Sequence, residues 1–173
     1  VFIGTYAGRY AYTGANNTAI GYGAMDGLPD DDDTVGASAE NIFIGRSAGG
    51  GTWATAASHY NIGIGDYCMD AAMNQALRNV SIGYASCSSL TSGDDNIGLG
   101  ENAGDVITTG SGNTCIGRNT DPGAAGATNQ TVVGYNTTGV NTDHSVTLGN
   151  ADVTDVYMSS DSGATVHCAG VKF

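Results

Sequence analysis

The chain has 173 residues, 40% of them apolar, yet it holds 28 Gly, only three Phe and one Trp, so a compact core built from large side chains would be thin. Five Lys plus Arg stand against 17 Asp plus Glu, and the resulting net charge of −12 repels nucleic-acid phosphates and anionic lipid headgroups alike. No apolar run is long enough to span a bilayer, and the start VFIGTYAGRY lacks the layout of a signal peptide.

Self-similarity organises the rest. A Gly following a branched apolar residue recurs at Gly4, Gly21, Gly45, Gly65, Gly83, Gly100, Gly117, Gly134 and Gly149, with steps of 17, 24, 20, 18, 17, 17, 17 and 15. One residue before each stand Ile3, Ile20, Ile44, Ile64, Ile82, Leu99, Ile116, Val133 and Leu148. Three before it, the complete rungs carry the β-branched Thr18, Ile42, Ile62, Val80, Ile97, Thr114, Thr131 and Val146. Residues two apart share a strand face, so each rung is a short strand, and these two columns are expected to point inward as a core ladder. The column between them, with Ala19, Phe43, Gly63, Ser81, Gly98, Cys115 and Val132, is then expected to point outward.

Four residues before the Gly stand Asn17, Asn41, Asn61, Asn79, Asn96 and Asn113, then Gln130 and Ser145. An amide at the same point of successive rungs can donate and accept along the stack, forming a ladder, and Asn also suits a turn. Three after the Gly the residue is small (Ala7, Ala24, Ala48, Cys68, Ser86, Ala103, Thr120, Thr137), as a tight corner requires; Asp152 breaks that pattern. The expected fold is therefore all-β, a β-solenoid of about nine coils over residues 1–149 with a modal repeat of 17, followed by a short β cap or junction over 150–173. With strands stacked at ~4.8 Å, nine rungs make a rod roughly 40 Å long.

The segments NNTAIGYGAM, NIFIGRSAG, NIGIGDYCM, NIGLGENAG and NTCIGRNT resemble the N-T-x-I-G repeats of bacteriophage tail fibres, and are similar to the head repeats of trimeric autotransporter adhesins. The ending HSVTLGNADVTDVYMSSDSGATVHCAGVKF looks like the junction that precedes a C-terminal chaperone domain in many tail fibres. The resemblance implies a homotrimeric fibre of a virion tail or cell surface, presenting a host-attachment surface to a glycan or protein receptor. A glycosylated extracellular filament and a polysaccharide-degrading β-helix enzyme stand as the alternatives.

Several motifs invite a chemical reading and are explained by the repeat. Gly45-Arg46-Ser47-Ala48-Gly49 matches G-x-S-x-G, but its glycines fall in repeat columns and no helix is expected after it. Gly98, Gly100 and Ala103 give G-x-G-x-x-A without the surrounding βαβ unit. The four Cys (68, 87, 115 and 168) show no zinc spacing and read as free thiols. His59, His144 and His167 share no ligand spacing, so no catalytic residue, metal or cofactor is expected. Four N-x-S/T tripeptides, at Asn16, Asn79, Asn129 and Asn136, follow from a repeat made of Asn and Thr. The two longest gaps between rungs carry Asp30, Asp31, Asp32 and Asp33, and then Trp53, His59 and Tyr60. Insertions in a solenoid form surface loops, so these seven residues are the expected receptor or glycan contact. Tyr22, Tyr84 and Tyr135, just after the Gly, suit sugar contact or packing between chains.

Overall fold

The computed structural model describes residues 1–9, 14–27, 38–52 and 56–156. Its strands are β1 (Phe2–Ile3), β2 (Thr18–Ile20), β3 (Ile42–Ile44), β4 (Ile62–Ile64), β5 (Val80–Ile82), β6 (Ile97–Leu99), β7 (Thr114–Ile116), β8 (Thr120–Asp121), β9 (Thr131–Val133), β10 (Thr137–Thr138) and β11 (Val146–Leu148). Nine of them form one parallel sheet in the order β1-β2-β3-β4-β5-β6-β7-β9-β11, and β8 pairs with β10 on a second side. No helix occurs among the described residues. The chain is thus a β-solenoid in which nine strands bound eight turns, and the register aligns like with like: Ile44, Ile64, Ile82, Leu99, Ile116, Val133 and Leu148 sit opposite one another in sequence.

Hydrogen bonds run along the rod at the corners as well as in the strands. Met25 N donates to Ala48 O at 2.8 Å, Gly49 N to Cys68 O at 2.9 Å, and Cys87 N to Ala103 O at 3.0 Å. This satisfies a backbone that closes a coil in so few residues. The repeated Gly is required by close approach: at Gly83 φ is 141°, and a Cβ there would lie 2.3 Å from the carbonyl oxygen of Gly100 one rung on. Among the described residues two to four other positions per coil take left-handed backbone, mostly without glycine, as at Tyr67 (φ 60°), Met69 (φ 47°), Gln75 (φ 64°) and Arg78 (φ 58°) between β4 and β5.

The two faces are the reverse of those expected from the pattern. The middle column points inward: Ala19, Phe43, Ser81 and Cys115 have no exposed surface and Val132 has 1%. The Ile20, Ile44, Ile64, Ile82, Leu99, Ile116, Val133, Leu148 column and its partner two residues earlier point outward, with Ile64 at 37%, Ile82 at 42% and Leu148 at 49% exposed. The reason is room. The lumen also takes the small column after the Gly, where Ala24, Ala48, Cys68, Ser86, Ala103 and Thr120 are fully buried, so no second branched side chain per strand fits there. The largest inward ring, Phe43, fits only because its neighbours are glycines: a Cβ on Gly63 would stand 2.6 Å from the ring and one on Gly49 2.8 Å. Met25, Met69, Met73, Leu90 and Ile107 fill the remaining lumen.

The Asn column forms a continuous buried ladder. Each Oδ1 accepts from both the backbone N and the side-chain Nδ2 of the next rung's Asn, at 3.0 and 3.2 Å from Asn17 to Asn41 and at 2.9 and 3.0 Å from Asn79 to Asn96. Each Nδ2 also donates to a loop carbonyl three residues before the next Asn: Ser58 for Asn41, Ala76 for Asn61, Gly93 for Asn79, Gly110 for Asn96 and Ala127 for Asn113. Every polar atom is thereby used, which is the condition for burying an amide without penalty. Gln130 ends the run: its backbone N donates to Asn113 Oδ1 at 3.0 Å, while the Nε2 of its longer arm donates to Val140 O and Thr142 O. Residues 150–156 hold no strand, and the rest of the expected β cap lies outside the described residues.

Candidate interaction surface

Two surfaces of the rod are chemically distinctive. The first is the outward face of the nine-stranded sheet, a stripe of Ile, Val, Leu and Thr three residues wide. At ~3.3 Å per residue and ~4.8 Å per strand it measures roughly 10 by 40 Å. Purely parallel sheets occur almost only with both faces covered, because their strands are apolar on both sides. Here one side is covered by the chain's own lumen and the other is not.

The second is the edge formed by the residue after each Gly. Read along the rod it is Thr5, Tyr22, Arg46, Asp66, Tyr84, Glu101, Arg118, Tyr135 and Asn150. The charges pair between adjacent rungs. Arg46 Nη2 lies 3.4 Å from Asp66 Oδ2, whose Oδ1 also accepts from the Arg46 backbone N at 2.8 Å. Arg118 Nε lies 2.9 Å from Glu101 Oε2, and its Nη1 donates to the Tyr135 hydroxyl at 3.2 Å. The rings are held too: Tyr6 meets Tyr22 edge to face at 5.5 Å and Tyr67 meets Tyr84 at 5.8 Å, while the guanidinium of Arg46 sits 4.7 Å from the Tyr67 ring. On the neighbouring edge Arg78 forks onto Asp95 at 2.7 and 2.9 Å, which holds the Asp95 carboxyl below its ordinary range. The signal for these ladders was in the sequence as opposite charges one repeat apart.

Of the residues expected to contact a receptor, Asp30, Asp31, Asp32, Asp33 and Trp53 lie outside the described residues. His59 is half-buried and has a structural partner, its Nδ1 accepting from the Ala39 backbone N at 3.0 Å while its backbone bridges Leu77. Tyr60 is exposed beside it, ring centroids 6.1 Å apart, with its phenol raised by a hydrogen bond to Glu40. Ser47 of the G-x-S-x-G segment occupies a left-handed turn (φ 52°) with no helix after it.

Among the described residues no three His, Cys, Asp or Glu side chains gather to hold a metal ion, and no helix is long and apolar enough to cross a membrane. Cys68, Cys87 and Cys115 are free and buried, and burial pushes each thiol up to about 12. One carboxyl pair went unread in the sequence: Asp105 and Asp121 lie on adjacent coils, where burial followed by the Asp105 charge raises Asp121 to about 6. No protein-family model, curated protein or solved structure matches the chain.

Proposed function

We propose that this chain is a structural module of a fibre, three parallel copies of which pack their outward sheet faces around a common axis to make a rod that presents an attachment surface on a virion tail or cell surface. The observation that carries the reading is the uncovered apolar face running along all nine rungs. A single copy leaves it in water, whereas identical copies cover it rung for rung, because every copy has the same strand pitch. The count of three comes from the resemblance to trimeric fibres. At roughly 400 Å² in one continuous stripe, it is as large as the largest apolar patch of a typical monomer, a patch that is often functional.

Analytical ultracentrifugation tests it. The intact protein is expected at three times its 17.3 kDa chain mass. Ile82→Asp, placed on the outward face, is expected to give monomers that keep the β circular-dichroism signature, because the single coil does not bury that side chain. A wild-type protein that stays monomeric at micromolar concentration refutes the reading.

A further inference from the structure

We infer that the Tyr22–Tyr84–Tyr135 edge is a binding rail for a neutral, linear, hydroxyl-rich polymer, that is, a glycan. This deepens the attachment part of the proposed function and rests on it. The contact moves from the inserted loops, where sequence reasoning put it, to a regular edge of the rod.

The rail is defined by spacing. Tyr22, Tyr84 and Tyr135 stand on the second, fifth and eighth rungs, so consecutive rings are three rungs or ~14 Å apart. Each interval holds one Arg and one acid joined to each other: Arg46 with Asp66, then Glu101 with Arg118. The three residues are 57%, 53% and 54% exposed, so each presents about half of its surface. They are also restrained, Tyr22 by Tyr6, Tyr84 by Tyr67 and Tyr135 by Arg118, which lowers the ordering cost of binding.

The chemistry selects the partner. A Tyr ring stacks on the C–H face of a pyranose while its hydroxyl hydrogen-bonds at the rim. The ion pairs between rings carry donors and acceptors matched to sugar hydroxyls, and a charge-assisted hydrogen bond to a neutral hydroxyl keeps the pair intact. A polyanion is disfavoured twice over. The Arg side chains on the rail are already neutralised by Asp66 and Glu101, and the chain as a whole carries −12. An apolar partner is disfavoured because it would strip water from both ion pairs without replacing it. Three platforms in line fit a polymer better than a single sugar, since one extended chain reaches successive rings and gains by multivalency.

The experiment measures binding of the intact assembled protein to immobilised cellohexaose, maltohexaose, mannohexaose and chitohexaose, to their trisaccharides, and to polygalacturonate as the polyanion. At least one neutral hexasaccharide is expected to bind, and at least tenfold more tightly than its trisaccharide, which is too short to bridge two rings. Tyr84→Ala is expected to weaken that binding about fivefold to tenfold and the triple variant Tyr22→Ala, Tyr84→Ala, Tyr135→Ala to abolish it, whereas Tyr84→Phe stays within about threefold. All variants are checked by sedimentation. Unchanged assembly with lost binding supports the rail and leaves the packing of copies standing as a separate matter. Dissociation of the Tyr84→Ala assembly places the ring between copies and overturns the proposal, as does binding to none of the four hexasaccharides or preference for polygalacturonate.

Discussion

Replacing Asn79 with Ala removes four hydrogen bonds at one point of the stack. Its Oδ1 accepts from Asn96 N at 2.9 Å and Asn96 Nδ2 at 3.0 Å, and its Nδ2 donates to Asn61 Oδ1 at 3.0 Å and Gly93 O at 2.8 Å. Two of these groups keep another partner: Asn96 Nδ2 still reaches Gly110 O, and Asn61 Oδ1 still accepts the backbone N of residue 79. The other two, Asn96 N and Gly93 O, are left without the partner they had in a site closed to water. Each buried orphan costs about 1–3 kcal/mol, so the substitution is expected to destabilise the fold by about 2–6 kcal/mol. That is a large part of the 5–15 kcal/mol typical of a domain. The control is Asn119→Gly on the partly exposed amide run Asn102–Asn119–Asn136, where water replaces the lost bonds and glycine relieves a φ of 50°. It is expected to stay within about 1 kcal/mol of wild type. Urea unfolding followed by far-ultraviolet circular dichroism measures both, and equal midpoints for the two variants would refute the claim that the inner ladder holds the coils together.

The remaining predictions use the same assay unless stated. Cys115→Asp puts a charge into the lumen and is expected to prevent folding, whereas Ile116→Thr, one residue along on the outward face, is expected to leave the coil folded and weaken only assembly; the opposite order would reverse the faces again. Asp121 is raised above its ordinary value in the folded chain, so the fold prefers its proton: stability is expected to rise as pH falls from 7 through about 6 toward 4, and Asp121→Asn is expected to raise stability at pH 7 and flatten that dependence. Ala85 holds a left-handed backbone at φ 51°, and Ala85→Gly is expected to stabilise by up to about 1 kcal/mol, read as a higher urea midpoint. Cys68, Cys87 and Cys115 are expected to resist iodoacetamide in native protein at pH 8 and to react once it is unfolded, as counted by mass spectrometry.

The repeat was legible because it is one-dimensional. Stacking identical coils forces like residues into columns, and the Gly, Asn and branched columns carry that constraint openly in the spacing of Gly83, Gly100, Gly117 and Gly134. The parity of the strand was not legible. A period of two says that Cys115 and Ile116 face opposite ways and is silent on which faces in, and side-chain size was an unsafe guide in a coil whose lumen is filled from the corners and loops as well, by Met25, Met69, Leu90 and Ile107 among others. Only closure of the coil decides it, by setting the lumen's width from the corners, where Ala48, Cys68 and Ala103 leave space for one inward residue per strand and glycine must stand beside the one large ring at Phe43. The edge is likewise a product of closure. Tyr84, Glu101 and Arg118 are 17 residues apart in the chain and become neighbours only because each turn returns to the same angle one rung further along, where a ~4.8 Å rise brings an acid within reach of an Arg and sets the rings at regular intervals.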